Sequence, residues 1–301
     1  MSWSPEDLPR YDGRRVLVTG GNSGIGRHVA AALAERGAEV TLACRNEEVG
    51  EEAAAKMRAA GGTVHVERLD LASLSSVADL ASRWTGPLDL LVNNAGVMTP
   101  PRYRETADGF ELQLGTNHLG HFALTGRLLP ALLAAPEPRV VTVSSIAHHR
   151  GRPDVLEGNP RHRYQPERAY ANSKLANVLF ALELARRAAA AGSALVSNAA
   201  HPGVAATNLV ASEQGLGSIP GVRQLSPLFL RLMFQSAEAG AAPVLHACAA
   251  AGPGTYSGPQ RLRESRGPAG RAKLSRHARD EALAGKLWTM SEELTGVTFD
   301  L

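Results

Sequence analysis

Short runs of β-branched and other apolar residues alternate with longer amphipathic stretches over the first two thirds of the chain. RVLVT at 15–19 precedes GIGRHVAAALAERG, EVTLAC at 39–44 precedes NEEVGEEAAAKMRAAG, and TVHVERL at 63–69 precedes SLSSVADLASRW. The rhythm continues with LDLLVNN at 88–94, a helical stretch over about 107–133, RVVTVSS at 139–145, a helix opening near 169, and ALVSNAA at 194–200. The apolar runs have strand length and the segments between them have helical period, so strand and helix take turns. Near-continuous apolar strands joined by helical crossovers predict one α/β domain. Its core is a doubly wound parallel β-sheet of about seven strands, flanked by helices on both faces, with ligands at the carboxyl ends of the strands.

Two stretches interrupt the alternation. Residues 146–169 form a polar insertion rich in Pro, Gly, Arg and His, and 205–235 carries Gly215, Gly217, Pro220 and Gly221 among Leu225, Leu228, Phe229 and Phe234. Long loops at strand ends usually cover sites, and the apolar content of the second suggests a lid, with simple packing on the sheet as the alternative. The basic stretch 261–280 reads as a flexible surface segment, followed by a terminal helix over about 281–294.

Composition narrows the function classes. The 301 residues are 44% hydrophobic and 20% charged, those of an ordinary globular protein, and 32 basic against 29 acidic side chains is too small an excess to suggest nucleic acid. Cys44 and Cys248 are far apart, so neither a disulfide framework nor a metal site is expected. The N-terminus lacks the basic-then-apolar pattern of a signal peptide and no apolar run reaches the roughly 20 residues of a membrane span, so a cytoplasmic protein is expected. The abundance of Ala and Arg suggests a bacterial source. His118 and His121 lie three apart without a third ligand and are expected to pack and to bond locally. His148, His149, His162 and Arg150, Arg152, Arg161, Arg163 and Arg168 are expected in a solvated basic loop, while His201 adjoins Pro202.

After the first strand comes TGGNSGIG, with Gly20, Asn22, Ser23, Gly24, Ile25 and Gly26 opening a helix. Between a buried strand and a helix N-terminus, such a turn allows close backbone approach to a pyrophosphate and aims free N–H groups at it. A plain glycine-rich helix cap is the alternative. The next strand ends in ACRN, where a dinucleotide site places an acid for the ribose 2′-hydroxyl or a base for a 2′-phosphate. Cys44 cannot bind the diol as a carboxylate would, and Arg45 can pair with a phosphate, with Asn46 as helper. NADP(H) is therefore expected over NAD(H), unless Arg45 merely caps the strand in solvent.

In AYANSKLANVLFALELARR, Tyr170 and Lys174 stand one helical turn apart. A neighbouring ammonium should lower the phenol below its usual pKa of roughly 10 and make a usable proton donor. Alone, the pair could be an accident of a surface helix. With the glycine turn, NNAG at 93–96, NHLGHF from Asn117 and Ser145 in VSS, the chain resembles the short-chain dehydrogenase/reductases, and these five motifs stand in that family's order. ACRN, LDLAS, NHLGHF and VSSIAHHRG resemble its retinol dehydrogenase and WW-domain oxidoreductase branch. The 25 residues from Ser145 to Tyr170 exceed what the shortest members have, and this branch shares the longer insertion.

The resemblance implies a Rossmann fold and a catalytic tetrad of Asn117, Ser145, Tyr170 and Lys174. Residues 12–145 would form the cofactor half, 146–260 the catalytic helix and substrate region, and 261–301 a C-terminal extension. Asp70 and Leu71 would border the adenine. Asn93, Ala95 and Gly96 would line the cofactor, and Pro202, Gly203, Val204 and Thr207 would contact its nicotinamide end. Tyr170 would exchange a proton with a small-molecule carbonyl or alcohol, Ser145 would hold the same oxygen, Lys174 would bind the nicotinamide ribose, and Asn117 would anchor a water leading to solvent. The substrate is expected to be an apolar ketone, aldehyde or secondary alcohol. A non-catalytic NADP(H)-binding redox sensor or scaffold is the alternative, and its expected mark would be loss of the Tyr and Lys pair. The family also implies a homodimer or homotetramer built on the helices over 107–133 and at Tyr170, unless the longer loops of this branch block that face.

Overall fold

The computed structural model describes residues 3–204 and 236–301. Strands β1 (Arg15–Thr19), β2 (Glu39–Cys44), β3 (Thr63–Arg68), β4 (Leu90–Asn93), β5 (Arg139–Val143), β6 (Val196–Ala200), β7 (Tyr256–Arg261) and β8 (Arg266–Arg271) form one sheet in the order β3-β2-β1-β4-β5-β6-β7-β8. All neighbours are parallel except β7 and β8. The chain winds outward from β1 in one direction and from β4 in the other, so a crevice opens at the carboxyl ends of these two strands.

The alternation of side chains along β1 sorts the core. Val16 and Val18 face a layer holding Val29 and Leu33 of α1 (Gly24–Glu35), Ala54 of α2 (Glu47–Ala59), and Val244 and Leu245 of α8 (Ala237–Ala249). Leu17 faces the other layer, with Val77 and Leu80 of α3 (Leu74–Arg83), Phe122 and Leu124 of α5 (Gly120–Arg127), and Phe180 and Leu184 of α7 (Pro166–Ala190). This is the doubly wound α/β sandwich expected from the sequence. Among the described residues no helix is long and apolar enough to cross a membrane.

Three segments differ from expectation. The stretch over 107–133 is not one helix: after α4 (Leu112–Leu114), residues Gly115–Leu119 make a single π-turn, followed by α5 and α6 (Leu129–Leu133). Glu111 starts the run by accepting the Gln113 and Leu114 N–H groups (both 2.9 Å), and Pro130, which lacks an N–H, separates α5 from α6.

The stretch 261–280 is no loose segment. It contributes β8, with Gly258 paired to Gly270 across the hairpin, and then Ser275 and Ala278, both buried. Its Gly and Pro content hid the strand, since such residues are rare inside strands except at edges. The insertion 146–169 likewise folds into three 3₁₀ turns, Ile146–Arg150, Pro153–Glu157 and Arg161–Arg163. Val155 and His148 are buried there, so His148 is not part of a solvated loop. The last helix, α9 (Glu281–Thr295), lies on α7 and α5, with Trp288 against Phe122 and Phe180.

Candidate active site

A cleft of about 380 Å³ opens over β1 and β4 and takes in most of the residues singled out by sequence. The glycine turn forms its floor. Gly20 adopts φ +64 and its N–H bonds to Ala43 O at 2.8 Å, which ties the turn to β2. A Cβ on Gly26 would stand 2.5 Å from Gly20 O, so only glycine lets the helix approach the turn this closely. Ser23 precedes α1 without a side-chain cap, leaving the first N–H groups of the helix directed at the cleft. Asn22, Ser23, Gly24 and Ile25 also line it. These features fit a dinucleotide pyrophosphate.

At the adenosine end Arg45 and Asn46 line the cleft, both exposed, and Asn46 also caps α2 by accepting the Val49 N–H at 3.1 Å. Cys44 points inward, its thiol raised by burial. Asp70 and Leu71 line the opposite side, with Asp70 Oδ1 accepting the Ala72 N–H at 3.0 Å.

Of the NNAG run, Ala95 and Gly96 reach the cleft, but Asn93 does not. Asn93 is fully buried on β4 and donates to Thr125 Oγ1 at 3.0 Å; its neighbour Asn94 lines the cleft instead, because side chains alternate along the strand. Thr19 organises this corner, its Oγ1 accepting the N–H groups of Asn94 and Ala95, each at 2.9 Å. His121 completes the brace. Its Nδ1 donates to Asn117 O at 2.9 Å and its Nε2 accepts from the Thr19 hydroxyl at 2.9 Å, a neutral tautomer consistent with burial pushing its pKa down to about 4. His118 is equally buried, lowered to about 3, and pairs with Ser291 Oγ at 2.8 Å. Thr19 opens the TGGNSGIG run, but only the tertiary contacts show its bracing role.

Tyr170 and Lys174 line the same cleft from α7. Lys174 Nζ lies 5.8 Å from the Tyr170 ring centre and 3.2 Å from Val143 O, which accepts from it. Burial lowers the lysine to about 8 and raises the Tyr170 phenol, opposed only by the Ser145 side chain. The expected depression of Tyr170 by Lys174 is therefore not seen. A cation that burial itself brings close to neutrality is a weak support for a phenolate. Ser145 caps the Ile146–Arg150 turn, its Oγ accepting the Ala147 N–H at 3.2 Å, while its neighbour Ser144 lines the cleft and donates to Lys174 O at 2.7 Å.

Asn117 sits at the centre of the π-turn, fully buried. Its Oδ1 accepts the Val97 N–H at 2.7 Å, and its Nδ2 donates to Val97 O at 3.0 Å and Ser173 Oγ at 2.9 Å. The amide is spent on bracing the Gly96 corner, where a Cβ would stand 2.9 Å from Asn117 Oδ1 and 3.4 Å from Lys174 Nζ. Pro202 closes the far end of the cleft; Gly203 and Val204 follow it without lining the cleft. Thr207 and the apolar stretch 205–235 lie outside the described residues. Among the described residues no group of three His, Cys, Asp or Glu side chains is arranged for a metal.

The short chain dehydrogenase family profile matches residues 14–215. Polyprenol dehydrogenase of Mus musculus is 42% identical over 97% of this chain and 87% of its own length. Retinol dehydrogenase 12 of Homo sapiens is 40% identical over 96% of this chain and 88% of its own. The crystal structure of an uncharacterised protein from Mycobacterium paratuberculosis superposes with a TM-score of 0.83 at 42% identity, covering 100% of both chains.

Proposed function

The chain belongs to the short-chain dehydrogenase family, and from that membership and the cleft we propose that it is an NADP(H)-dependent oxidoreductase of apolar carbonyl or alcohol substrates. The observation that carries this reading is that one cleft brings together a glycine-rich turn at a helix N-terminus, a guanidinium at the end of β2, and the Tyr170 and Lys174 pair. The turn would hold the pyrophosphate, Arg45 with Asn46 the 2′-phosphate, and Pro202 would stand beside the nicotinamide. When bound, the nicotinamide supplies or accepts the hydride; the residues supply position and protons.

Tyr170, with its pKa raised by burial, keeps its proton through the neutral range and is poised as the acid that protonates a carbonyl oxygen. Ser145 bonds to the same oxygen without titrating and stabilises the charge that develops on it. Lys174, near 8, takes up or releases a proton close to neutral pH, and its place at Gly96 and Asn117 lets it hold ribose hydroxyls. Asn117 fixes the loop under that ribose. The names of the retinol and polyprenol dehydrogenases favour an isoprenoid-like alcohol or its aldehyde.

The test is spectrophotometric: oxidation of NADPH and of NADH against retinal-like, steroid and polyketide carbonyls and small polar ones. Turnover of apolar carbonyls with NADPH is expected. Binding of NADPH without consumption across the whole panel would point instead to a sensor, and turnover confined to small polar carbonyls would reject the substrate class.

A further inference from the structure

Behind Pro202 lies a polar assembly that proton transfer at Tyr170 does not use. His201 is fully buried, and its Nδ1 accepts the Gly203 N–H at 3.2 Å, which leaves the ring N–H on Nε2. Among the described residues, that Nε2 makes no hydrogen bond, and Glu264 Oε2 stands 3.5 Å from it. The carboxylate is only 14% exposed, and its Oε1 accepts the Lys273 N–H at 2.9 Å. Its charge also acts on His148, His149 and Tyr256.

Two features of the hairpin show that this arrangement is built. Leu262, Arg263 and Glu264, in the turn between β7 and β8, have φ of 48°, 54° and 64°, three successive non-glycine residues in the left-handed region. Such strain persists only where the surroundings impose it, and here it turns Glu264 inward. On β7, Gly258 lies flat against the imidazole, where any Cβ would collide with His201 Nε2. The same turn reaches the chain a second time, since the Val204 N–H donates to Ser265 O at 3.0 Å. The hairpin thus grips residues 201 and 204, and Pro202 between them lines the cleft.

We infer that Glu264 is a positioning residue: through His201 and the adjoining Val204–Ser265 bond, the strained β7–β8 turn fixes the 201–204 segment and so holds Pro202 at the nicotinamide end of the cleft. The inference rests on the reading that a nicotinamide cofactor fills the cleft. Loss of the carboxylate takes away the acidic group that the buried Nε2 proton faces, and the imidazole that carries Gly203 loses its fixed orientation.

Calorimetric titration of the full chain separates this role from a general structural one. NADP⁺ and adenosine 2′,5′-bisphosphate, which carries the adenosine half alone, are titrated into the wild type, Glu264→Ala, Glu264→Asp and Gly258→Ala. Glu264→Ala and Gly258→Ala should bind NADP⁺ about tenfold more weakly with the fragment unaffected, and Glu264→Asp should fall between them and the wild type. Unchanged NADP⁺ binding in the Glu264 variants overturns the inference, as does equal weakening of both ligands, which marks a general loss of structure. If the wild type binds neither ligand, the cofactor reading fails and the inference with it; if it binds both and the variants match it, only the role of Glu264 is lost.

Discussion

The two walls of the cleft are held by different kinds of contact. The adenosine-side wall is held mainly by backbone atoms and by missing side chains: Gly20 N to Ala43 O, a Gly26 that admits no Cβ, and N–H groups of Asn94 and Ala95 on one threonine hydroxyl. The wall at Ser145 and Tyr170 is held by polar side chains, several of them reached only across the fold. Tyr256 donates to Ser145 O at 3.3 Å. His148 Nδ1 donates to the same oxygen at 2.8 Å and its Nε2 accepts the Ser275 N–H at 3.2 Å, while Glu264 faces His201. Burial lowers His148 to about 4, so it serves this brace as a neutral ring. A wall of backbone groups presents a fixed anion cradle. A wall of side chains can be tuned by substitutions more than 100 residues away.

If the walls are separable in this way, variants should divide between them. Tyr170→Phe gives the largest expected effect: turnover should fall at least about a hundredfold, since general acid catalysis is typically worth 10² to 10⁴, while NADPH affinity stays near wild type. Retained turnover would remove Tyr170 from its role, and joint loss of binding would break the separation of the walls. Arg45→Glu should do the converse, lowering the preference for NADPH over NADH by about tenfold or more with turnover at saturation little changed. An unaltered ratio of the two kcat/KM values would show that Arg45 does not read the 2′-phosphate.

Lys174→Met should lose turnover yet gain stability. Folding lowers this lysine from 10.5 to about 8, so between those values the unfolded chain holds more protons and stability rises with pH. Below about 8 the penalty is fully present, on the order of 3 kcal/mol. The variant should therefore unfold at higher denaturant than the wild type at pH 7, with the gap closing towards pH 10. A gap independent of pH would mean that packing, not charge burial, sets the difference. Arg263→Gly gives the smallest effect, a gain of roughly 0.5–1 kcal/mol from relieving a left-handed residue, measured by urea unfolding. Destabilisation there would show that the Arg263 side chain, not the turn, matters.

Much of this was legible in the chain because the cues were local. A strand followed by TGGNSGIG announces a turn and a helix N-terminus, ACRN reports an arginine where an acid could have stood, and Tyr170 and Lys174 share one turn of α7. What escaped was set by neighbours distant in sequence. The π-turn at Asn117 follows from contacts with Val97 and Ser173, and Asn94 replaces Asn93 in the cleft because of which face of β4 the cleft adjoins. The strand β8 escaped because its Gly and Pro residues carry no strand pattern.

The sequence by itself determined the doubly wound sheet, the glycine turn and the pairing of a phenol with an ammonium, since periodicity, missing side chains and helical spacing are properties of consecutive residues. Only the tertiary structure decided the proton affinities and the bracing. Burial raises Tyr170 and brings Lys174 to about 8, and Thr19, His121, His148, His201 and Glu264 gain their partners from segments that meet only once the sheet is complete. Desolvation and long-range hydrogen bonding depend on what surrounds a group in space, and no window along the chain contains that.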